Sequence, residues 1–472
     1  MPKHGVFVTE QATSVGTPVA VETGVPFVIG LSPINLAENP ANAGVPVLCT
    51  SYSEFVEKLG YSDDWATYPL CEFAYSHFKL FGMQPAIFVN LLDPDTMYTA
   101  VAAADISLSN HKLTLDAEAL DDDNLVVKAQ GGAGNAYVKD TDYAVYVDAE
   151  GLVTIEVLAD GACYNASKLN VAYRKVTPAS VTVNSVAAGL ESIDLCMTGL
   201  GIVPDLICAP GFSENASVSA VMAAKADSIN GMFKAMALVD ISTTAAAAYD
   251  AVTTAKANAA VTSQMEIACW PMAKLDNQVF HLSTLLAGVI AQTDDDYGAP
   301  YASPSNKALP INGLCLADGT EVNLTLAQAN ILNANGVVTA MNFMGGFKSW
   351  GNYTAAYPDS TDVKEYFIPV RRMFNWVGAT LIRTFWSRLD GPLTRVLIDS
   401  IVDTANIWMN GLTGSGYILG GRIEYASEDN PTTSLMAGII KLHVFMTPPS
   451  PMQEVDFELE YDVSYVEAAF AG

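Results

Sequence analysis

The sequence predicts an α/β core, a mostly parallel sheet with helices on both faces, interrupted by an all-β insertion and followed by a C-terminal α+β region. Three observations carry this reading. Apolar strand-like runs alternate with helix-like runs over residues 25–95 and again over 188–350. Between them, residues 96–187 change to short alternating runs punctuated by Gly, Asn and Asp. After residue 350 two amphipathic helical stretches precede extended segments. Strands alternating with helices of this length imply parallel pairing and covered faces. At 472 residues the chain is too long for one core and should hold roughly two to four domains.

Taken in order, residues 1–24 form an N-terminal arm containing the extended run GVFVTE, whose Val6, Phe7 and Val8 have no neighbouring hairpin to pair with. VPFVIG ends a near-continuous apolar run at Gly30, the pattern of a strand buried on both faces. Ser51 with Glu54 reads as a capping box opening a helix that Gly60 closes. YPLCEFAYSHFKLFG carries its apolar residues at helical spacing, with His77 on the apolar face as a core histidine, and AIFVNLL follows as a strand. In the insertion, KLTLDAE, LVVKAQ, YAVYVDAEGLVTIEVL, LNVAYRKV and SVTVNSV alternate apolar and polar, and AEGL suits a hairpin turn. From residue 188, PDLICAPGF, KAMALVDI and SQMEIACWPM read as strands, with helices over SVSAVMAAKADSINGMF, TAAAAYDAVTTAKANAA and FHLSTLLAGVIAQT.

In the 351–452 region, RRMFNWVGATLIRTFWSRL reads as a helix ended by Asp390-Gly391-Pro392. A second helix places Leu393, Val396, Leu397, Ile401, Thr404, Ile407 and Trp408 on one stripe, expected to be buried, before a Gly-rich turn at NGLTGSG. GGRIEYAS and AGIIKLHVFMT are extended runs. Residues 453–472 form a C-terminal strand or arm behind the stiff spacer Pro448-Pro449-Ser450-Pro451. Over 453–467, Val455, Phe457, Leu459, Tyr461, Val463 and Tyr465 alternate with Asp456, Glu458, Glu460, Asp462 and Ser464. A period of two places the apolar side chains on one face, as in a half-buried strand. No hairpin leads into it, so it folds back on its own domain or reaches into another copy.

The formal charge of −28 opposes direct binding to nucleic acid or anionic membrane, which needs a positive field. No window approaches the roughly 18 apolar residues of a membrane span. MPKHGVFVTEQ lacks the apolar run of a signal peptide, so folding in a cytoplasm is expected. Seven cysteines without Cys-x-x-Cys spacing read as buried thiols, with neither a disulfide framework nor a zinc site. Asp121-Asp122-Asp123 lacks the ligand spacing of a calcium loop and reads as a solvated turn. Asp294-Asp295-Asp296 fits either a metal site or a solvated C-terminal turn. No P-loop or dinucleotide fingerprint occurs, the five histidines form no ligand pair, and Ser415 lies outside a nucleophile elbow. The expectation is a non-enzyme with no cofactor. Two other classes remain open: an α/β hydrolase-like enzyme with a β accessory domain, and a surface adhesin or decoration protein that uses the insertion.

Six of the seven arginines lie between 371 and 422. Arg372 and Arg383 are eleven residues apart, close to three helical turns, and so share a face. Such a stripe in an acidic chain pairs either with acidic groups of its own chain, the face of the 453–467 strand foremost, or with an acidic partner.

Several segments in order resemble the contractile tail sheath proteins of phages and phage-tail-like particles such as R-type bacteriocins. They are GVFVTE (5–10), VPFVIG (25–30), PDLICAPG (204–211), LLAGVIAQTDDDYGAPYASPSN (285–306), ILNANGV (331–337), the arginine helix at 371–388 and PPSPMQEVDFEL (448–459). SWGNYT (349–354) and Ala299-Pro300 depart from the family pattern. The resemblance implies a structural subunit that stacks as hexameric rings, a six-fold helical polymer around an inner tail tube protein, and contracts to drive the tube through the target envelope. It implies baseplate and tail terminator proteins as further partners, assembly in the host bacterial cytoplasm, and residence in a virion or particle tail. It makes 351–452 an assembly domain beside the tube, and puts the 96–187 insertion on the outer surface. It assigns Val6, Phe7, Val8 and the apolar residues from Val455 to Tyr465 to inter-subunit arms. Arg372, Arg383, Arg388 and Arg395 become candidates to face the tube.

Overall fold

The computed structural model describes residues 20–148 and 151–471. Its centre is an eight-stranded sheet with the order Phe347–Trp350, Val337–Asn342, Glu266–Cys269, Met236–Asp240, Leu206–Cys208, Pro26–Gly30, Ala86–Asn90, Val47–Cys49. The six inner strands are parallel, and the strand at each edge is antiparallel. The apolar runs explain the topology. Phe27, Val28 and Ile29 are wholly buried, as are Ile87, Phe88 and Val89 and also Leu206, Ile207 and Cys208, so these strands are covered on both faces.

The cover comes from helices that the sequence marks well. Ser51 Oγ accepts from the Glu54 N–H, and Gly60 ends that helix at φ 73°. Leu282–Tyr297 is the principal core helix, with twelve of its sixteen residues buried. A Cβ on its Gly288 would lie 2.2 Å from the Phe81 ring, so only glycine permits this approach. His77 is buried against Phe73 and Phe78, and burial lowers its pKa to about 4. All seven cysteines are buried free thiols. The helix expected over TAAAAYDAVTTAKANAA shortens to Val252–Asn258. Its alanine-rich start forms turns, where the Ala246 carbonyl accepts from Trp270 Nε1 at 3.0 Å.

Between residues 98 and 176 lie two three-stranded sheets. Tyr98–Ser107 pairs with Lys168–Val176, which pairs with Val126–Ala129. Val153–Val157 lies between Lys112–Thr114 and Tyr143–Val147. They share a core of their own around Leu113, Val127, Ile155, Leu169 and Val171, distinct from the main one. Tyr98 opposes Val176, so the chain enters and leaves this unit at one point. In the acidic turn, Asp122 is engaged by Arg174 at 2.5 Å and Asp121 by Lys139 at 2.6 Å, so these two carboxylates are ion-paired rather than only solvated.

Beyond residue 360, Ile368–Phe385 lays its first three turns on the main core. Arg395–Gly414 packs on the two-stranded antiparallel sheet Gly420–Glu424 with His443–Thr447. That helix runs through the expected Gly-rich turn as far as Gly414. Its buried residues are Ile398, Ala405, Met409 and Leu412, whereas Val396 and Ile407 from the expected stripe are exposed. The apolar pattern covered two adjacent faces of this helix, and packing against Ile418 and Ile423 selected only one.

Candidate functional site

The arginine stripe divides along its helix. Arg372 is buried and forms a bidentate pair with Asp294 of the core helix, at 2.7 and 2.5 Å, and a third bond to Asp205 at 2.6 Å. Asp205, just before the Leu206–Cys208 strand, also accepts the Val25 N–H at 2.7 Å. One residue group thus joins the arginine helix, the core helix and the entries of two central strands. Trp376 Nε1 donates to the Val21 carbonyl at 2.9 Å, which extends the same seam. Burial opposes the charge on Arg372, but the two carboxylates outweigh it and keep the guanidinium protonated.

Arg372 is therefore not a surface residue and cannot face a tube. It does share a helical face with Arg383, but the helix leaves the core after Thr380, so the same face is buried at one end and exposed at the other. Arg371 is also buried, bonded to Asn375 and Gln264. Arg383, Arg388 and Arg395 are exposed. Arg395 pairs with Asp399 at 2.8 Å and lies over the Tyr425 ring. Trp386, Leu389 and Val396 are exposed among these arginines, so the surface is mixed apolar and cationic.

Asp294 does not lie in a solvated turn; it is buried as the counter-ion of Arg372. Asp295 and Asp296 are exposed beside it. Sequence held a signal for this pair. Three acids in the last turn of a helix oppose its macrodipole, which favours cations there, and so require a compensating positive group.

The 453–467 stretch does not form a strand within this chain. No ladder among the described residues includes 453–463, and Ser464–Phe470 is helical. Val455, Phe457, Leu459, Tyr461, Val463 and Tyr465 are all exposed, Leu459 to 97%. Nor do its acidic residues pair with the arginines: the ion pairs formed by Arg372, Arg395 and Arg422 use Asp205, Asp294, Asp399 and Glu424. Val6, Phe7 and Val8 lie outside the described residues. Nearby, the two-stranded sheet leaves further apolar surface at Leu419, Val444 and Phe445.

No family model matches the chain. It is 27% identical over 487 aligned residues to the tail sheath protein of Burkholderia phage BcepMu, covering 98% of this chain and 97% of that one. It is 28% identical over 198 residues, 42% of its length, to the major tail sheath protein of Serratia phage KSP20. Its fold matches a subunit of the PVC sheath complex, an extracellular contractile injection system in the contracted state, with TM-score 0.59, 15% identity, and 98% of this chain and 99% of that chain covered. The anti-feeding prophage helical sheath in its contracted state matches with TM-score 0.59, 15% identity, and 98% and 100% coverage. The chain is thus similar to tail sheath proteins along nearly its whole length.

In this chain, the crevice where an open α/β sheet usually takes a ligand is filled. That crevice lies beyond the carboxyl ends of the Pro26–Gly30 and Leu206–Cys208 strands, where the strand order reverses. Leu70 N–H donates to the Leu31 carbonyl there, and Glu72, from the same short helix, accepts both the backbone N–H and Nδ1 of His281, at 2.7 and 2.8 Å. Asp240, at the end of the next strand, accepts from Ser213 Oγ at 2.9 Å and from the Ser283 N–H and Oγ at 3.0 and 2.5 Å. Burial raises the Asp240 pKa. These Ser, Asp, His and Glu groups satisfy one another in packing the start of the core helix. Sequence reading missed the set because its members are spread from residue 72 to 283.

Burial disfavours the charged His281 ring, but Glu72 and Asp240 outweigh it and raise its pKa to about 9 from an ordinary 6.5. The folded state thus holds this proton more tightly than the unfolded chain does. The stabilisation is complete below pH 6.5 and fades as pH rises through about 9. The stability difference between wild type and His281→Gln, measured by denaturant unfolding of dispersed subunits, should therefore be largest below pH 6.5 and shrink above 9. At the seam, Arg372→Met should cost about 3–5 kcal/mol by leaving the buried Asp294 carboxylate uncompensated. The double variant Arg372→Met with Asp294→Leu should recover part of that loss in the same measurement.

Proposed function

We propose that this chain is the subunit of a contractile tail sheath, stacking as hexameric rings around an inner tube and shortening to drive the tube through a target cell envelope. The carrying observation is the C-terminal segment: a strand-patterned sequence whose apolar face is exposed and which finds no ladder among the described residues of its own chain. The relatives named tail sheath protein support this reading, as do sheath folds matched along 98% of the chain.

On this reading residues 1–24 and 453–472 are arms, and the 453–463 stretch becomes a strand only when it joins a sheet of another copy. A strand added to an edge satisfies backbone groups that the edge leaves open. At roughly 0.5–1.5 kcal/mol net per hydrogen bond, about six bonds give roughly 3–9 kcal/mol before apolar burial. The two-stranded sheet of the 351–452 assembly domain is the acceptor we favour, because its exposed apolar surface needs cover. The two-sheet unit between residues 98 and 176, the observed extent of the insertion expected over 96–187, is joined at one point and suits the outer surface of the polymer. The tube-facing candidates are now Arg383, Arg388 and Arg395. Exposed ion pairs of this kind hold weakly and are screened by salt, which suits a contact that must release. Baseplate and terminator proteins would meet the ends of the polymer, in a virion or phage-tail-like particle assembled in the host cytoplasm.

Purified full-length chain is expected to form tubes or rings by electron microscopy, and chains lacking residues 1–12 or 453–472 are expected to stay as dispersed subunits. Identical behaviour of all three sinks the arm assignment. Charge reversal of Arg383 and Arg388 should impair assembly on the tube protein without lowering the melting temperature of the subunit. Unchanged tube-bound particles would refute the tube contact.

A further inference from the structure

An open groove of about 960 Å³ lies on the core beside the edge hairpin, and residues 449–455 of the same chain form one part of its wall, facing the core residues that form the rest. Trp350, Tyr353, Tyr357, Tyr297 and Tyr301 supply aromatic surface to its lining. The ledge under the segment is preorganised. Tyr353 stacks on Tyr357 with centroids 3.9 Å apart and on Phe367 at 5.4 Å, while the Thr354 N–H donates to the Tyr366 carbonyl. At the other end of the groove, Tyr297 and Tyr301 meet edge to face, and Tyr301 stacks on Tyr417.

The segment is chemically matched to such a surface. Pro448, Pro449 and Pro451 have no N–H to give to a ladder and hold the chain near polyproline II. Extended proline-rich segments dock into aromatic-lined grooves because little conformational freedom remains to be lost. Pro448 is buried, and Pro449 and Pro451 are half-buried. The Tyr353 hydroxyl donates to Gln453 Oε1 at 3.1 Å. From Met452 onward the described residues are exposed, so the hold covers only the root of the arm.

We propose that this groove is a clamp for the chain's own proline spacer, keeping the root of the C-terminal arm on its own subunit and thereby setting when residues 456–471 become available to a second copy. The second half of this statement rests on the arm reading given above. Clamp and arm divide the work by chemistry. The prolines cannot join a sheet and so stay on the aromatic ledge, while the alternating residues beyond them cannot be buried at home. Among the described residues a single side-chain hydrogen bond, Tyr353 to Gln453, ties the segment to the ledge, which makes the hold reversible.

The test uses the full chain with a photo-crosslinking benzoylphenylalanine in place of Met452, an exposed residue of the groove lining. In dilute, dispersed subunits the expected crosslink joins residue 452 to peptides from 297–307 or 350–357 of the same chain. Crosslinks elsewhere, between copies only, or none at all overturn the clamp. Tyr353→Ala should cut the intrachain yield about fivefold, on the order of one lost hydrogen bond. Gln453→Ala, on an exposed position outside the core, should lower the yield in the same direction and serves if the tyrosine variant fails to fold. Both should shorten the lag before polymer forms while leaving the finished polymer unchanged. An unaltered lag refutes the control of availability. If the truncation of 453–472 still polymerises while the intrachain crosslink forms, the arm reading falls and the clamp stands. If truncation abolishes the polymer and no intrachain crosslink forms, the arm stands and the clamp falls.

Discussion

A buried guanidinium paired with two carboxylates holds the chain together at the point where its parts would otherwise separate. Arg372 comes from the C-terminal third, Asp294 from the core helix, and Asp205 from the start of a central strand, whose carboxylate also fixes Val25 at the start of another. Burying Arg372 and Asp294 is unfavourable by itself, and the geometry compensates by pairing them directly and adding the half-buried Asp205 as a second partner. Such a cluster tolerates little displacement, because moving any member leaves a charge without its counter-ion in a dry interior. It therefore fixes the register between the α/β core and the helix Ile368–Phe385. The ring contact of Trp376 with Trp408, 5.7 Å apart, passes that register on to the second helix.

Away from the seam the subunit is built differently. The central strands are covered on both faces, and the crevice at the reversal of strand order is occupied by Leu70, Glu72 and His281. The C-terminal third, by contrast, carries Trp386, Leu389, Val396, Leu419 and Phe445 on its surface, and the segment beyond Val455 buries none of its apolar side chains. Exposed apolar groups clustered in one region mark an interaction surface. A rigid interior joined to an unsatisfied periphery is what a polymer subunit requires, since its parts must persist while its contacts exchange. The proposed strand exchange and proline clamp place that exchange where the chain has the fewest ties to its own fold.

Much of the fold was legible because local pattern and burial coincide in it. Phe27-Val28-Ile29 is apolar on both faces, and it lies between two parallel neighbours. Ser51, Glu54 and Gly60 begin and end a helix by chemistry that needs nothing distant. The alternating runs between 98 and 176 pair as runs of period two should, and the ordered motifs carried the family likeness. Local pattern failed where a residue's partner was remote. The helix 395–414 has apolar residues on two faces, and only contact with Ile418 and Ile423 decided which was covered.

Sequence alone thus determined that residues 453–465 have one apolar and one acidic face, and that Arg372 and Arg383 share a helical face. Tertiary structure decided that the first segment joins no sheet among the described residues of its own chain and that the two arginines have opposite fates. The reason is the same for both. Periodicity fixes the direction of a side chain relative to its own backbone, whereas burial and charge pairing depend on what the rest of the chain brings alongside. For Arg372 that is Asp294 and Asp205; Leu459 is left open to solvent.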